Sequence, residues 1–468
     1  MLFNSYEFIF LFLPIVLIGY YLLVPERGRL IFLTLVSYVF YGWWDYRFCS
    51  LMFLTTVIDY VAGLKIYQAR TPRGKRAWLL VSIVSGLLLL GFFKYYELLA
   101  RSTNEVATWF RGAPVQLLPI LHLILPIGIS FYTFHSMSYT IDVYRGIVKP
   151  ARRFSDFTCF VALFTQLVAG PIIRYHDLAD QLVFRTHTWD KAARGITFFV
   201  MGLVKKVILA DGVAPIVARV FDMPSPGFVE SWLGVVSYAM QIYFDFSGYS
   251  DMAVGLGYLF GFQIPQNFNS PYKAASITDF WRRWHISLST WLRDYLYISL
   301  GGNRLGNFRT YLNLFITMLL GGLWHGANWT FVIWGGYHGA LLAIERAAGK
   351  RSLVSSLPLP LQRAVTFVLV LIGWVLFRCS TLDQAGALFS GMLGLHGAGV
   401  SVWPFLALAP WCGLILVLAL AVTWSLPNTW EINWRPGFWL TIALAVLFLI
   451  CLAVILVNSS SPFLYFQF

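Results

Sequence analysis

An all-α, polytopic transmembrane helical bundle is the fold this sequence predicts, and three observations predict it. The 468 residues are 58% apolar and only 12% charged, roughly half the charge of an ordinary soluble domain. Apolar runs of roughly 17–25 residues, each able to cross a ~30 Å hydrocarbon layer as a helix, recur along the whole chain. Short basic clusters separate many of these runs, as cytoplasmic loops do. The chain therefore reads as one membrane domain, residues 1–468, of about eleven to thirteen segments, with the motif-rich core at about 115–346.

The expected spans run over 5–24, 29–44, 48–65, 77–97, 115–140, 156–173, 194–219, 230–262, 310–325, 329–345, 362–378, 405–425 and 437–457. The first has no basic n-region or small-residue cleavage site and reads as a retained helix, not a signal peptide. Arg27 and Arg29 follow the first run, Lys65, Arg70, Arg73, Lys75 and Arg76 the third, and Arg145, Lys149, Arg152 and Arg153 the fifth. This alternation places the N-terminus and the loop at 98–114 outside, in the periplasm if the cell is Gram-negative. The net charge of +13 is thereby explained by loops against a lipid bilayer, with no nucleic acid required. Two polar, aromatic-rich stretches, 171–194 and 263–309, read as amphipathic or re-entrant segments. Cys49, Cys159, Cys379, Cys412 and Cys451 have neither metal-site nor redox spacing and read as packing residues.

Two segments carry chemistry. Read as one helix, 280–300 puts Trp281, Trp284, Leu288, Trp291 and Tyr295 on one face. Arg282, His285, Ser289 and Arg293 fall on another. The bland reading is an interfacial helix with its arginines at lipid headgroups; the functional one is an aqueous wall facing a phosphate-rich ligand such as acetyl-coenzyme A. The second segment is 310–346. One continuous helix would be roughly 55 Å long, too long for a single span. Basic residues at both outer ends, Arg304 and Arg309 before and Arg346, Lys350 and Arg351 after, favour a hairpin broken at Gly326. Irregular backbone at membrane depth is tolerated where it is buried in protein or lines a cavity, and His325 sits at this break. An intramembrane histidine is by default a functional residue. Trp324, Asn328 and His338 are the candidate supports around it, His338 standing between packing and support. Asp245 and Asp251 could pair with arginines of 280–300; they are too far apart in phase for an acid dyad, and no third ligand suggests a metal.

The runs TDFWRRWHISLSTWLRDYLYISLGGNR (278–304), GGLWHGANWTFVIWGGYHG (321–339), YFDFSGYSDMAVGLGYLFGFQIPQNFNSPY (243–272) and LPIGISFYTFHSMSYTIDVYRG (125–146) resemble the membrane-bound O-acyltransferases. The nearest branch is the bacterial alginate O-acetylation subgroup, whose ending SPFLYFQF (461–468) resembles too. The resemblance implies a helical bundle with a thin central funnel floor between a cytoplasmic donor side and an outward acceptor side. It puts the catalytic histidine on His325 and its partner on His285. Arg282, Arg293, Trp281 and Ser289 are then candidates for holding the donor, acetyl-coenzyme A, and no metal is implied. The implied partners are a periplasmic SGNH-type acetyltransferase and a polysaccharide of the alginate or cellulose type. No Gly-x-Ser-x-Gly elbow is present, which fits a division of labour with such a partner. The alternatives are peptidoglycan O-acetylation, teichoic-acid D-alanylation and, from another class, a polysaccharide export conduit.

Overall fold

The structure, a computed structural model, describes residues 1–168, 170–349, 354–432, 434, 437–457 and 463–464. Lys350 and Arg351, expected at the outer end of the hairpin, and most of the SPFLYFQF ending lie outside the described residues. Those described are helical or irregular, with no strand among them, and fall into two compact units, Met1–Thr186 and His187–Phe468.

The first unit begins with α1 (Glu7–Leu23), whose two ends are π-helical. It continues through α2 (Arg29–Asp45), α3 (Arg47–Gln68) and α4 (Pro72–Leu90). After a π-turn at Gly91–Tyr95, α5 (Tyr96–Arg111) runs on. The expected outer loop at 98–114 is thus mostly helix. It is amphipathic, polar at Glu97, Arg101 and Glu105, and its apolar Trp109 and Phe110 are exposed. The expected span at 115–140 is also corrected: 113–128 has no regular helix, because Pro114, Pro119 and Pro126 remove backbone donors. Gly128 (φ 74°) then starts α6 (Ile129–Arg145). Every α6 residue from Ile129 to Val143 is buried. Several of its polar side chains bond within the unit. Ser82 Oγ lies 2.9 Å from Thr140 Oγ1 and donates to Asp59 Oδ1 at 2.5 Å. Next, α7 (Phe154–Ala162) breaks at Leu163 before the short α8 (Phe164–Leu167), so the expected span 156–173 is not one helix. The amphipathic α9 (Tyr175–Val183) follows. Its His176 Nδ1 meets Asp142 Oδ2 at 2.7 Å, and Nε2 lies 3.3 Å from Asp177 Oδ1.

The second unit is organised around α12 (Phe228–Leu259), which is buried along most of its length. α10 (Trp189–Val204), a π-segment at Lys205–Ala210 and α11 (Asp211–Phe221) pack on it. A methyl group at Gly202 would overlap the Gly248 carbonyl, so glycine sets how closely α10 and α12 approach. Lys205 Nζ reaches Asp251 Oδ2 at 2.6 Å, and Lys206 Nζ reaches Asp245 at 2.6 Å and Asp211 at 2.8 Å. These lysines, not the arginines of 280–300, are the partners of Asp245 and Asp251. The 280–300 segment is not one helix either. It divides into α13 (Ile277–Arg283), α14 (Ile286–Trp291) and a π-turn at Leu292–Tyr297. Then come α15 (Asn307–His325), α16 (Trp329–Ala348), α17 (Leu359–Arg378) and α18 (Leu382–Met392). α19 (Val402–Leu408) and α20 (Pro410–Ser425) meet at 97°, and α21 (Phe438–Val457) follows.

By length and apolarity, four described helices can cross a membrane: Arg47–Gln68, Pro72–Arg111, Leu359–Arg378 and Phe438–Val457; the bent α19–α20 pair makes a fifth. That is fewer than the eleven to thirteen segments expected. The remaining helices are too short, or not apolar enough along their length, to count by that measure alone. All five cysteines are free, and all but Cys49 are buried.

Candidate functional site

Two helix breaks in the second unit build the site. The first lies between α13 and α14, where His285 takes a left-handed conformation (φ 42°, ψ 54°). For a residue with a side chain this costs ~1–2 kcal/mol, so the surroundings must hold it. Asn267, on the irregular segment after α12, does so. Its carbonyl accepts Ile286 N–H at 2.9 Å. Its Oδ1 accepts Ser287 N–H at 3.1 Å and Ser287 Oγ–H at 2.9 Å, and lies 3.2 Å from His285 Nδ1. Its Nδ2 donates to Ser250 Oγ at 3.1 Å.

This arrangement fixes a tautomer. A backbone N–H can only donate, so the atom facing Ser287 N is the amide oxygen. His285 Nδ1 must then carry the proton it shares with that oxygen, which leaves the lone pair on Nε2. The ring is fully buried, and Phe246 of α12 stands edge-on at 4.7 Å.

The second break is between α15 and α16. His325 is the last residue of α15, and Gly326 is extended (φ −160°, ψ 152°). Any side chain could adopt that backbone; what excludes one is Phe331, whose ring occupies the space a Cβ would need. The Asn328 side chain accepts Thr330 N–H to cap α16, and its Nδ2 donates to Ser380 O at 2.7 Å. The two helices lie close because a methyl group at Gly322 would overlap the Phe331 carbonyl, and one at Gly335 the Met318 carbonyl. The broken hairpin expected at Gly326 is therefore present.

The breaks bring the two histidines together. The ring centroids of His285 and His325 are 6.4 Å apart. His325 is 4% exposed. Trp324, Trp334 and Phe377 surround its ring at 5.2, 5.1 and 5.1 Å. Trp324 also lies 6.0 Å from His285. One helical turn after Trp334, His338 accepts Trp281 Nε1–H at its Nδ1 (3.4 Å), and its ring is 5.0 Å from that of Trp334. Trp281, Trp334 and His338 thus form one wall beside His325.

Other candidates are placed differently. Arg282 and Arg293 are exposed while His285 is buried, so the expected shared face of Arg282, His285, Ser289 and Arg293 does not exist. The left-handed residue at 285 breaks the helical phase on which that reading rested. Arg293 pairs with its neighbour Asp294 at 2.7 Å. Ser289 Oγ donates to the Trp284 carbonyl at 3.3 Å. Asn267, Ser287, Phe246, Trp334 and Phe377 were not singled out from sequence. Only Asn267, a polar residue between Pro265 and Pro271, gave a signal that could have been read.

The sequence profile of the membrane-bound O-acyltransferase family matches residues 152–379, which include both breaks. A probable alginate O-acetylase of Azotobacter vinelandii is 52% identical over 84% of this chain and 78% of its own length. The chain belongs to the membrane-bound O-acyltransferase family. A peptidoglycan O-acetyltransferase of Helicobacter pylori is 38% identical over 86% of this chain and 81% of its own length. A teichoic acid D-alanyltransferase of Bacillus subtilis is 30% identical over 48% and 60%. As a member of this family the protein is a multi-pass membrane O-acyltransferase.

Proposed function

We propose that this O-acyltransferase moves acetyl from cytoplasmic acetyl-coenzyme A to a periplasmic acceptor for exopolysaccharide O-acetylation, with His325 and His285 at the reacting centre. The observation that carries the reading is the meeting of these two buried imidazoles inside one aromatic enclosure. In the proposed step His325 takes the proton of the incoming hydroxyl as general base. The hydroxyl oxygen bonds to the thioester carbonyl carbon, the carbon–sulfur bond breaks, and the thiolate leaves with the proton from His325. The alternative is that His325 carries the acetyl briefly as nucleophile. His285, its Nε2 lone pair held in a fixed direction by Asn267, orients the acceptor.

Arg282 and Arg293, both exposed, are suited to the phosphates of the donor, with Trp281 and Ser289 beside them. Trp324, Asn328 and His338 hold the enclosure. The acceptor is a periplasmic SGNH-type acetyltransferase that passes acetyl to an alginate- or cellulose-type polymer. The protein sits in the inner membrane of a Gram-negative cell with its N-terminus periplasmic, a reading supported by the basic clusters of the first half.

The deciding experiment is reconstitution in proteoliposomes with labelled acetyl-coenzyme A outside and a purified acceptor inside. Label on the acceptor with parent protein, and none with His325→Ala at equal protein level, is the expected result. Equal transfer by both proteins refutes the assignment. Polymer efflux without acetyl transfer identifies an export conduit. Preferred transfer to peptidoglycan, or of D-alanine to teichoic acid, moves the substrate to those branches.

A further inference from the structure

The first unit has an apolar groove of about 470 Å³ on its surface, lined by Ile31, Thr34, Leu35, Tyr38, Phe53 and the start of α7 at Phe154, Ser155 and Thr158. The volume falls in the range of ligand-sized sites, about 300–1,000 Å³. Almost nothing polar faces it. Thr34 Oγ1 donates to Leu30 O at 2.9 Å, Thr158 Oγ1 to Phe154 O at 2.8 Å, and Ser155 Oγ to Asp156 Oδ1 at 3.2 Å. These three hydroxyls are used within their own elements, and the accessible lining of the groove is almost wholly hydrocarbon.

In a bilayer such a groove has a limited capacity to select. Lipid tails are as apolar as leucine, so moving a chain from bilayer to groove gains little by itself. Selection must come from what borders the groove. Arg152 and Arg153 immediately precede Phe154, both are exposed, and neither is in an ion pair among the described residues. Lys149 is exposed three residues earlier, and Asp156 is the acidic residue nearest in sequence. The local balance is three cations to one anion.

We infer that this groove is a binding site for an anionic phospholipid, one acyl chain lying along α2 and α3 and the headgroup phosphate at Arg152 and Arg153. Each basic side chain near an anionic lipid surface contributes about a fivefold preference, so the pair gives roughly 25-fold. Guanidinium groups suit a phosphate because they can donate in parallel pairs.

The test is native mass spectrometry of the full chain released from detergent, titrated with phosphatidylglycerol or phosphatidylcholine. The parent should retain one phosphatidylglycerol at least tenfold more strongly than phosphatidylcholine. Arg152→Gln/Arg153→Gln should remove that preference. Leu35→Trp, which fills the groove from an exposed position, should weaken retention of both lipids. Lys75→Gln/Arg76→Gln, a basic pair elsewhere in the unit, should change neither. Equal retention of the two lipids by the parent, an unchanged arginine double variant, or an equal loss in the Lys75/Arg76 control would each overturn the inference. Circular dichroism and thermal midpoint confirm folding. If the arginine double variant does not fold, the parent's lipid preference and Leu35→Trp still decide.

Discussion

The chain breaks its helices at His285 and at Gly326 by opposite means. At His285 the turning residue is bulky and left-handed, and hydrogen bonds to Asn267 hold it there. At Gly326 the backbone is ordinary, and glycine is required because Phe331 fills the space beside it. The first break fixes the orientation and protonation of the histidine within it. The second only has to end a helix with His325 at its tip, and packing suffices. A strained position therefore needs a polar anchor, and an unstrained one needs room.

The largest effect expected is on chemistry. His325→Ala should lower acetyl transfer ~10³-fold, within the range general base catalysis supplies, with the thermal midpoint nearly unchanged. A residual rate above a tenth of the parent's would remove His325 from the reaction. Asn267→Ala probes the polar anchor. It leaves buried donors without their acceptor, which costs about 3 kcal/mol, and by freeing the His285 ring it should slow transfer roughly 10–100-fold, by analogy with the loss of partners that orient metal-bound histidines. Parent-like rates in that variant would mean the anchor serves the fold alone.

Gly326→Ala probes the packed break. It should cost ~1–3 kcal/mol by overpacking, read as a lower thermal midpoint, and Phe331→Leu in the same chain should recover part of that. A neutral Gly326→Ala would show that Phe331 moves aside freely.

A third kind of joint, the ion pair of His176 on α9, offers a pH contrast with both breaks. Hydrogen bonds that the ring donates to Asp142 and then to Asp177, opposed by burial, raise its pKa from 6.5 to about 9. Its stabilisation is therefore complete below about pH 6.5 and lost as the pH rises through about 9. On the order of 2 kcal/mol should disappear between pH 7 and 10, and His176→Gln should flatten that slope in thermal melts. The smallest effect isolates the strain. His285→Gly should be about 1 kcal/mol more stable than His285→Ala, because only glycine takes the left-handed backbone freely, while both lose transfer alike. Equal stability would mean that the backbone relaxes at this position.

Much of this was legible in the sequence. The WHG break at 324–326 could be read because two apolar runs, each too short alone and too long together, flank glycines; the structure ends α15 at His325. The meeting of His285 with His325 followed only from resemblance, since forty residues separate them. The arginine face of 280–300 was misread because a single left-handed residue resets helical phase, and histidine's modest enrichment at positive φ does not single out position 285. The partners of Asp245 and Asp251 were missed for a similar reason. Lys205 and Lys206 lie inside an apolar run and pair across helices, which periodicity along one helix cannot register. Fewer described helices than expected segments are long and apolar enough to cross by themselves, since π-turns and prolines interrupt hydrophobic runs without changing composition.

The lysine–aspartate cluster of the second unit has a consequence for how the protein is assembled. Removing one partner of a buried ion pair leaves the other charge uncompensated, at a cost of ~3–5 kcal/mol. Lys205 and Lys206 come from the segment after α10, and Asp245 and Asp251 from α12, and each pair meets at 2.6 Å. Neither segment can bury its charges without the other, so the two are expected to consolidate in one step.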